Sequence, residues 1–304
     1  MSVAVRDIIQ IMQSIAPVQY AESWDNVGLQ IGHTDWSADS IGVALDPLLA
    51  VVEEACNQSL KLLITHHPLF FRPISSIDFG SPLGRIIKTA ADNRLSILTA
   101  HTNYDSAASG LNDVLVHRLK LKNPVPLSVA ATPEKVNVTL DISEQDRQAL
   151  MRQSVHADQA AFAAQLALPR QSTGIGRVCE IASPMSLKRF AAFVKKQLNL
   201  EQVRVSGDLD LMITKAAVCT GSGSSLIKDF FRTEAQVYIS GDFKYHDARD
   251  IQAAGRALID VGHFGSEHIM VDALAQQLAE HCSQSGLDVQ VVPLRVETDP
   301  FLYL

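Results

Sequence analysis

Short apolar runs alternate with helix-length amphipathic runs along this chain, and the alternation occurs twice in the same order. In the first round IGVALD (41–46), LKLLITHH (60–67) and LSILTAH (95–101) read as strands, with helices over 47–58, about 82–93 and 108–121. In the second, KAAVCTG (215–221), QVYISGD (236–242) and ALIDVGH (257–263) are the strands, with helices over 224–232, 246–256 and 266–282. Helical spacing of Val5, Ile8, Ile9, Met12 and Ile15 precedes the first round, and a strand, VQVVPL (289–294), follows the second. Strands joined through helices pair mostly in parallel and are covered on both faces. The pattern therefore predicts an α/β fold of two similar halves with mostly parallel or mixed sheets. Such crossovers gather strand C-termini along one edge, where α/β proteins place their sites.

Residues of about 126–205 break the alternation. NVTLDI (137–142) reads as a strand, 144–168 and 186–199 as helices, and QSTGIGR (171–177) as a glycine-rich turn. The turn has a GxG, but no clear strand enters it and no clear helix leaves it, so a surface insertion is favoured over a phosphate loop. The expected organisation is an N-terminal α/β half over 1–125, a short inserted segment over 126–180, and a C-terminal α/β half over 181–304.

Charge narrows the partners. The net charge is -7, and no Lys/Arg run exceeds two residues, which argues against a nucleic-acid backbone as ligand. The scattered cysteines, Cys56, Cys179, Cys219 and Cys282, form no CxxC pair and fit reduced thiols. The first residues read as an amphipathic helix rather than a signal peptide, and no apolar run approaches the roughly 20 residues of a membrane span. A cytoplasmic protein with no membrane association is expected.

Three of the predicted strand ends carry unusual residues. One ends in His66–His67–Pro68, another in His101 with Asp105 four residues on, and the third in His263 with Glu267 four residues on. The His-x3-acid spacing thus occurs once in each half. Each residue alone has an ordinary explanation: a core histidine, a turn aspartate, a first-turn glutamate beside a helix dipole. Together they offer imidazole and carboxylate, which suit zinc, iron or manganese about equally. A glutamate can bridge two ions through its two oxygens, and paired ions can activate a water and clamp a displacement. Successive residues of an extended chain point to opposite sides, so His66 and His67 could each reach one of two ions if the strand end bends as Pro68 suggests. His101 could instead orient a ligand, and His101 and His246 are candidate proton shuttles, although His246 also suits a helix cap or a surface position. The other histidines read as structural or solvent-facing.

These motifs resemble the GTP cyclohydrolase 1 type 2 family, the Nif-three-like proteins. The matching stretches are PVQYAESWDNVGLQIG (17–32), LLITHHPLFF (62–71), TAHTNYDSAASGLND (99–113), CTGSGSSLI (219–227), VYISGDFKYHDA (237–248) and DVGHFGSEHI (260–269). The resemblance implies two similar α/β halves with a dinuclear divalent-metal site between them. Its ligands fall here on His66, His67, Asp105, His263 and Glu267, with Glu267 as the bridge. It also implies a toroidal homohexamer, a trimer of dimers, with the sites facing an internal cavity. The activity it implies is hydrolysis of a nucleotide such as GTP or a related heterocycle; the alternative is a non-catalytic metal-binding or regulatory interaction protein. The segment 126–180 is intermediate in length between relatives with and without an inserted domain. Tyr104 stands where relatives often carry a smaller residue, which would narrow the pocket or add a hydroxyl to it.

Overall fold

The computed structural model describes residues 3–129 and 173–302. Its first elements in chain order are α1 (Val5–Ile15), β1 (Gly28–Ile31), β2 (Ser40–Ala44), α2 (Leu49–Asn57), β3 (Leu62–Thr65), α3 (Pro82–Asp92), β4 (Ser96–Thr99), α4 (Thr102–Ser106), α5 (Leu111–Arg118) and β5 (Lys122–Val129). After residue 172 come β6 (Gly174–Ser186), α6 (Leu187–Gln197), β7 (Arg204–Ser206), β8 (Met212–Ser222), α7 (Ile227–Phe231), β9 (Val237–Gly241), α8 (Tyr245–Ala253), β10 (Ala257–Asp260), α9 (His263–Glu267), α10 (Met270–Gln284) and β11 (Gln290–Pro293).

The strands form two mixed sheets, so the α/β expectation holds. One has the order β1-β4-β3-β2-β11, the other β5-β6-β8-β9-β10-β7. In the first, β11, β2, β3 and β4 run parallel, and β1 is antiparallel at the edge. In the second, β8, β9 and β10 run parallel between antiparallel β6 and β7.

Alternation along the strands buries both faces of each sheet. Ile41, Val43, Leu62 and Ile64 face α1 and α10, while Ala44, Leu63 and Ile97 face α2 and α3. In the second sheet Ala216, Val218, Val237 and Ile239 meet α5 and α6, while Ala217, Cys219 and Tyr238 meet α7 and α8. All four cysteines are free. No helix among the described residues is long and apolar enough to cross a membrane.

The sheets do not follow a split of the sequence at 125/126. Strand β11 pairs with β2 in the first sheet, and α10 packs on that sheet beside α1. Conversely, β5 pairs with β6 in the second sheet, and α5 packs against that sheet. Residues 126–129 and 174–180, expected within the insertion, are strand in the second sheet, while the elements expected at 137–142 and 144–168 lie outside the described residues. The glycine-rich turn expected at 171–177 is corrected from Gly174 onward, where the chain is already in β6. Gly176 allows a close approach rather than a reversal: a Cβ there would meet the Val218 carbonyl oxygen at 2.9 Å. The helix expected over 108–121 is α5, preceded by the separate short α4, and the helix expected over 266–282 is broken at 268–269 into α9 and α10.

Arg177 on β6 clamps the second sheet to the end of the first half. Its guanidinium, 3% exposed, donates to Asp113 Oδ1 at 2.6 Å and Oδ2 at 3.0 Å, to the Ala107 carbonyl at 3.1 Å, and to the carbonyls of Gly174 and Gly176. Replacing it removes every one of these bonds and leaves three carbonyls and a carboxylate short of donors. Arg177→Met should therefore destabilise the fold by about 3 kcal/mol. A urea titration checks this; a midpoint equal to that of the unchanged chain would show that the clamp is dispensable.

Candidate metal centre

The edge formed by the strand C-termini gathers the polar residues. Past β3 the chain leaves the extended path: the amides of His66 and His67 both donate to the Leu45 carbonyl, at 3.1 and 2.9 Å, and Thr65 Oγ1 donates to the His67 carbonyl at 2.9 Å. The bend brings both imidazoles to one side, ring centroids 5.2 Å apart. His101 follows β4 and precedes α4, whose single turn carries Asp105. On the other sheet His263 opens α9, and Glu267 lies one turn on. His101–Asp105 and His263–Glu267 thus occupy equivalent places in the two halves, each at the end of a parallel strand.

The six side chains converge. His66 lies 5.0 Å from His101, and His67 5.5 Å from His101 and 5.3 Å from His263, between ring centroids. Glu267 Oε2 is 3.1 Å from His67 Nε2 and 2.9 Å from His263 Nε2, and Oε1 is 3.7 Å from His66 Nε2. Asp105 Oδ1 is 3.8 Å from His66 Nε2 and accepts from Thr220 Oγ1 at 3.2 Å. Gly221 makes room for this: a Cβ there would stand 2.1 Å from Glu267 Oε1, and its φ of 62° is one that glycine adopts freely.

Every imidazole is held by its other nitrogen. Nδ1 of His66 donates to the Ala100 carbonyl at 3.0 Å, that of His67 to Asp46 at 2.7 Å, that of His101 to Asp25 at 2.8 Å and that of His263 to Asp242 at 2.7 Å. These partners only accept, so each Nδ1 carries a proton and Nε2 is the nitrogen turned toward the cluster. His66 Nε2 is buried with no hydrogen-bond partner, a cost of roughly 1–3 kcal/mol unless something else engages it. A divalent cation satisfies such converging lone pairs and carboxylate oxygens. Ligand atoms of His66, His67 and His101 lie within 4.8 Å of one another, as do those of His67, His263 and Glu267, and each trio could hold a metal ion.

The same closeness fixes the protons. Burial lowers the His67 pKa, but Asp46 and Glu267 outweigh it and bring it up to about 10. Glu267 foremost, against burial and with help from Asp242, brings His263 up to about 9. Burial would raise Glu267, yet His263, His66 and His67 hold it well below the ordinary glutamate range. Burial pushes Asp105 up, with the Glu267 charge adding to it against the pull of His66. Asp25 goes the other way, to about 2, because His101 and Thr102 overcome the effect of burial.

Two sequence expectations are corrected. His246 is exposed on α8, its ring edge-on to Tyr245 at 5.4 Å, and it belongs to neither trio. Tyr104 neither narrows a pocket nor lends it a hydroxyl; it is fully buried in the first sheet's core and donates to Gln277 at 3.0 Å. Asp25, Asp46 and Asp242 are the functional residues the sequence reading missed. Asp46 and Asp242 directly follow apolar strands, the same signal that singled out the histidines. Beside His67 and His263 lies a cavity of about 650 Å³, lined by Leu45, Asp46, Arg204, Val261, Phe264 and Phe301 among others.

The family model described as Duf34/NIF3 (NGG1p interacting factor 3) matches residues 3–300. A Clostridium perfringens protein named GTP cyclohydrolase 1 type 2 homolog is 31% identical over 300 residues, covering 99% of both chains. A Bacillus subtilis protein of the same name is 30% identical over an alignment of 371 positions that takes in 100% of this chain and 99% of that protein. That alignment exceeds the 304 residues here, so the Bacillus subtilis protein carries segments this chain lacks. Among solved structures, a Bacillus cereus protein related to NIF3 superposes with a TM-score of 0.85 at 26% identity, covering 100% of this chain and 99% of that one.

Metal ligands must be deprotonated, whereas without a cation His67 and His263 hold their protons at pH 7 because both pKa values are raised above it. Adding zinc to metal-free protein at pH 7 should therefore release protons, and apparent affinity should rise as pH rises toward 9. Calorimetry in buffers of different ionisation heat measures the release; a heat independent of buffer would contradict the arrangement. Asp46→Asn and Asp242→Asn should each weaken zinc binding about 10–100-fold without removing a ligand. Competition with a chromophoric chelator reads that change.

Proposed function

Because the chain belongs to the Duf34/NIF3 family, we propose that it holds two divalent metal ions side by side and hydrolyses a nucleotide or related heterocycle, the chemistry named for its GTP cyclohydrolase 1 type 2 homologs. The observation that carries this reading is the pair of overlapping donor trios. His67 belongs to both, and the two oxygens of Glu267 approach different histidines. Zinc, iron and manganese all suit imidazole and carboxylate donors. His66, His67, Asp105, His263 and Glu267 would hold the ions, and bound ions supply Lewis acidity for displacement at an electrophilic carbon or phosphorus. The cavity beside His67 and His263 has the size of a small-molecule site. Asp46 and Asp242 orient those imidazoles toward the ions they would hold. His101 has a buried carboxylate on one nitrogen and the cluster on the other, which suits either a ligand or a proton carrier.

Zinc- or manganese-loaded protein incubated with GTP and other nucleotides, with products separated by chromatography, tests the reaction. Turnover is expected, and His66→Ala or Glu267→Gln should reduce it at least about a hundredfold. Absence of product from every nucleotide with both ions bound would replace the hydrolase with a non-catalytic metal-binding protein. His101→Ala sorts its own role: lost metal marks a ligand, while full metal content with lost turnover marks a proton carrier.

A further inference from the structure

On the His101 flank of the centre, two large aromatic side chains are left in solvent. Trp24 is 57% exposed and Phe71 58%. Their ring centroids are 5.7 Å apart with the planes at 39°, and they lie 6.0 and 6.2 Å from the His101 ring. His101 itself packs against His66 and His67. The two exposed rings therefore adjoin the metal centre through the buried His101 ring.

The backbone beside each ring is pinned. The Asp25 side chain, next to Trp24, is fully buried and accepts from His101 Nδ1, from the Thr102 amide at 3.0 Å and from Thr102 Oγ1. Asn26 Nδ2 donates to the Phe70 carbonyl at 2.7 Å, next to Phe71, and to Gln30 Oε1 at 3.1 Å. Exposed rings on an anchored backbone are pre-organised to meet a partner at little further ordering cost. Their spacing rules out a third ring sandwiched between them, which needs about 7 Å, twice the van der Waals separation. It leaves a tilted corner with two open π-faces, suited to offset or edge-to-face contact with one flat ring.

We infer that Trp24 and Phe71 form a stacking corner for a planar heteroaromatic ring, the base-like part of a substrate whose reacting group lies at the metal centre. The inference rests on the reading of that centre as acting on a nucleotide or related heterocycle. Stacking tolerates any flat ring, so the corner sets the class of substrate and leaves the choice within it to polar contacts.

The protein has two tryptophans, so Trp36→Phe leaves Trp24 as its sole indole. Zinc-loaded protein of this kind is titrated with guanosine 5′-monophosphate and, separately, with ribose 5-phosphate, while indole emission is followed. Saturable quenching by the first and none by the second is expected. By equilibrium dialysis, Trp24→Ala and Phe71→Ala should raise the Kd for guanosine 5′-monophosphate roughly tenfold to a hundredfold, the worth of one stacked ring, while Trp24→Phe keeps most of the affinity. Zinc content and elution volume on gel filtration should match the unchanged protein in all three variants. Equal quenching by both probes, no quenching, or an unchanged Kd in both alanine variants overturns the corner. So does a smaller assembly in those variants, because the face would then be covered by a second copy of the chain. Binding lost with Trp24 in a protein that turns nothing over would keep the corner and sink the hydrolase. Turnover with a KM indifferent to Trp24 would do the reverse.

Discussion

Glu267 presents a buried carboxylate to three imidazoles, and the arrangement of both sheets follows from keeping that contact. A carboxylate so deep is costly unless positive charge stands against it. Its own sheet supplies His263, 2.9 Å away, and the other sheet supplies His67 at 3.1 Å and His66 at 3.7 Å. The compensating charge is therefore shared across the seam. Without a cation it is carried by protons, which is why the His67 and His263 pKa values rise to about 10 and about 9. A metal ion held there would replace those protons at the same atoms, so protonation and metal binding would compete for one set of lone pairs.

A contact across a seam is only as firm as the seam. Here each sheet is completed by chain from the other side of the sequence: β11 and α10 join the first sheet, β5 and α5 the second. Arg177 fastens α5 to β6 by a buried, doubly bonded link to Asp113. The C-terminal stretch adds another, since Glu297 accepts from the amides of Leu45 and Asp46, at 2.8 and 2.6 Å, at the end of β2. Asp46 in turn holds His67. Pulling the halves apart would break edge strands, helix packing and these polar links together, so the donor atoms sit on a frame with little freedom to open.

The alternation of strands and helices was legible because period-two apolar runs and amphipathic helices leave a clear mark in sequence. The partner of each buried face was not. Leu115 and Leu274 show that their helices bury a face, but nothing in their spacing says that α5 belongs to the second sheet and α10 to the first. At the site, His66, His67, His101 and His263 stood out because histidine is rare at the end of an apolar strand. Asp46 and Asp242 occupy the same kind of position and passed unnoticed, because aspartate after a strand is an ordinary turn residue. Asp25 lies in irregular chain with no periodicity to place it, and only the fold brings it to His101. Tyr104 misled for a related reason: it sits between site residues in sequence, yet α4 turns it into the core.

The repeated strand order also explains how the supports arise. Asp46 follows β2 and bonds His67 after β3; Asp242 follows β9 and bonds His263 after β10. In each half the aspartate comes from the strand one step earlier in the chain and adjacent in the sheet. Parallel neighbours lie about 4.8 Å apart, so side chains at their ends meet at hydrogen-bonding range without any special loop. The same geometry was available in both halves, but they filled it differently. The middle strand of the first half ends in two imidazoles, whereas that of the second ends in the supporting Asp242. The first strand of the second half ends near Gly221, where any side chain would collide with Glu267. Two similar frames thus became one asymmetric centre, with most of its imidazoles from one half and its most central carboxylate from the other, so neither half can assemble the centre by itself.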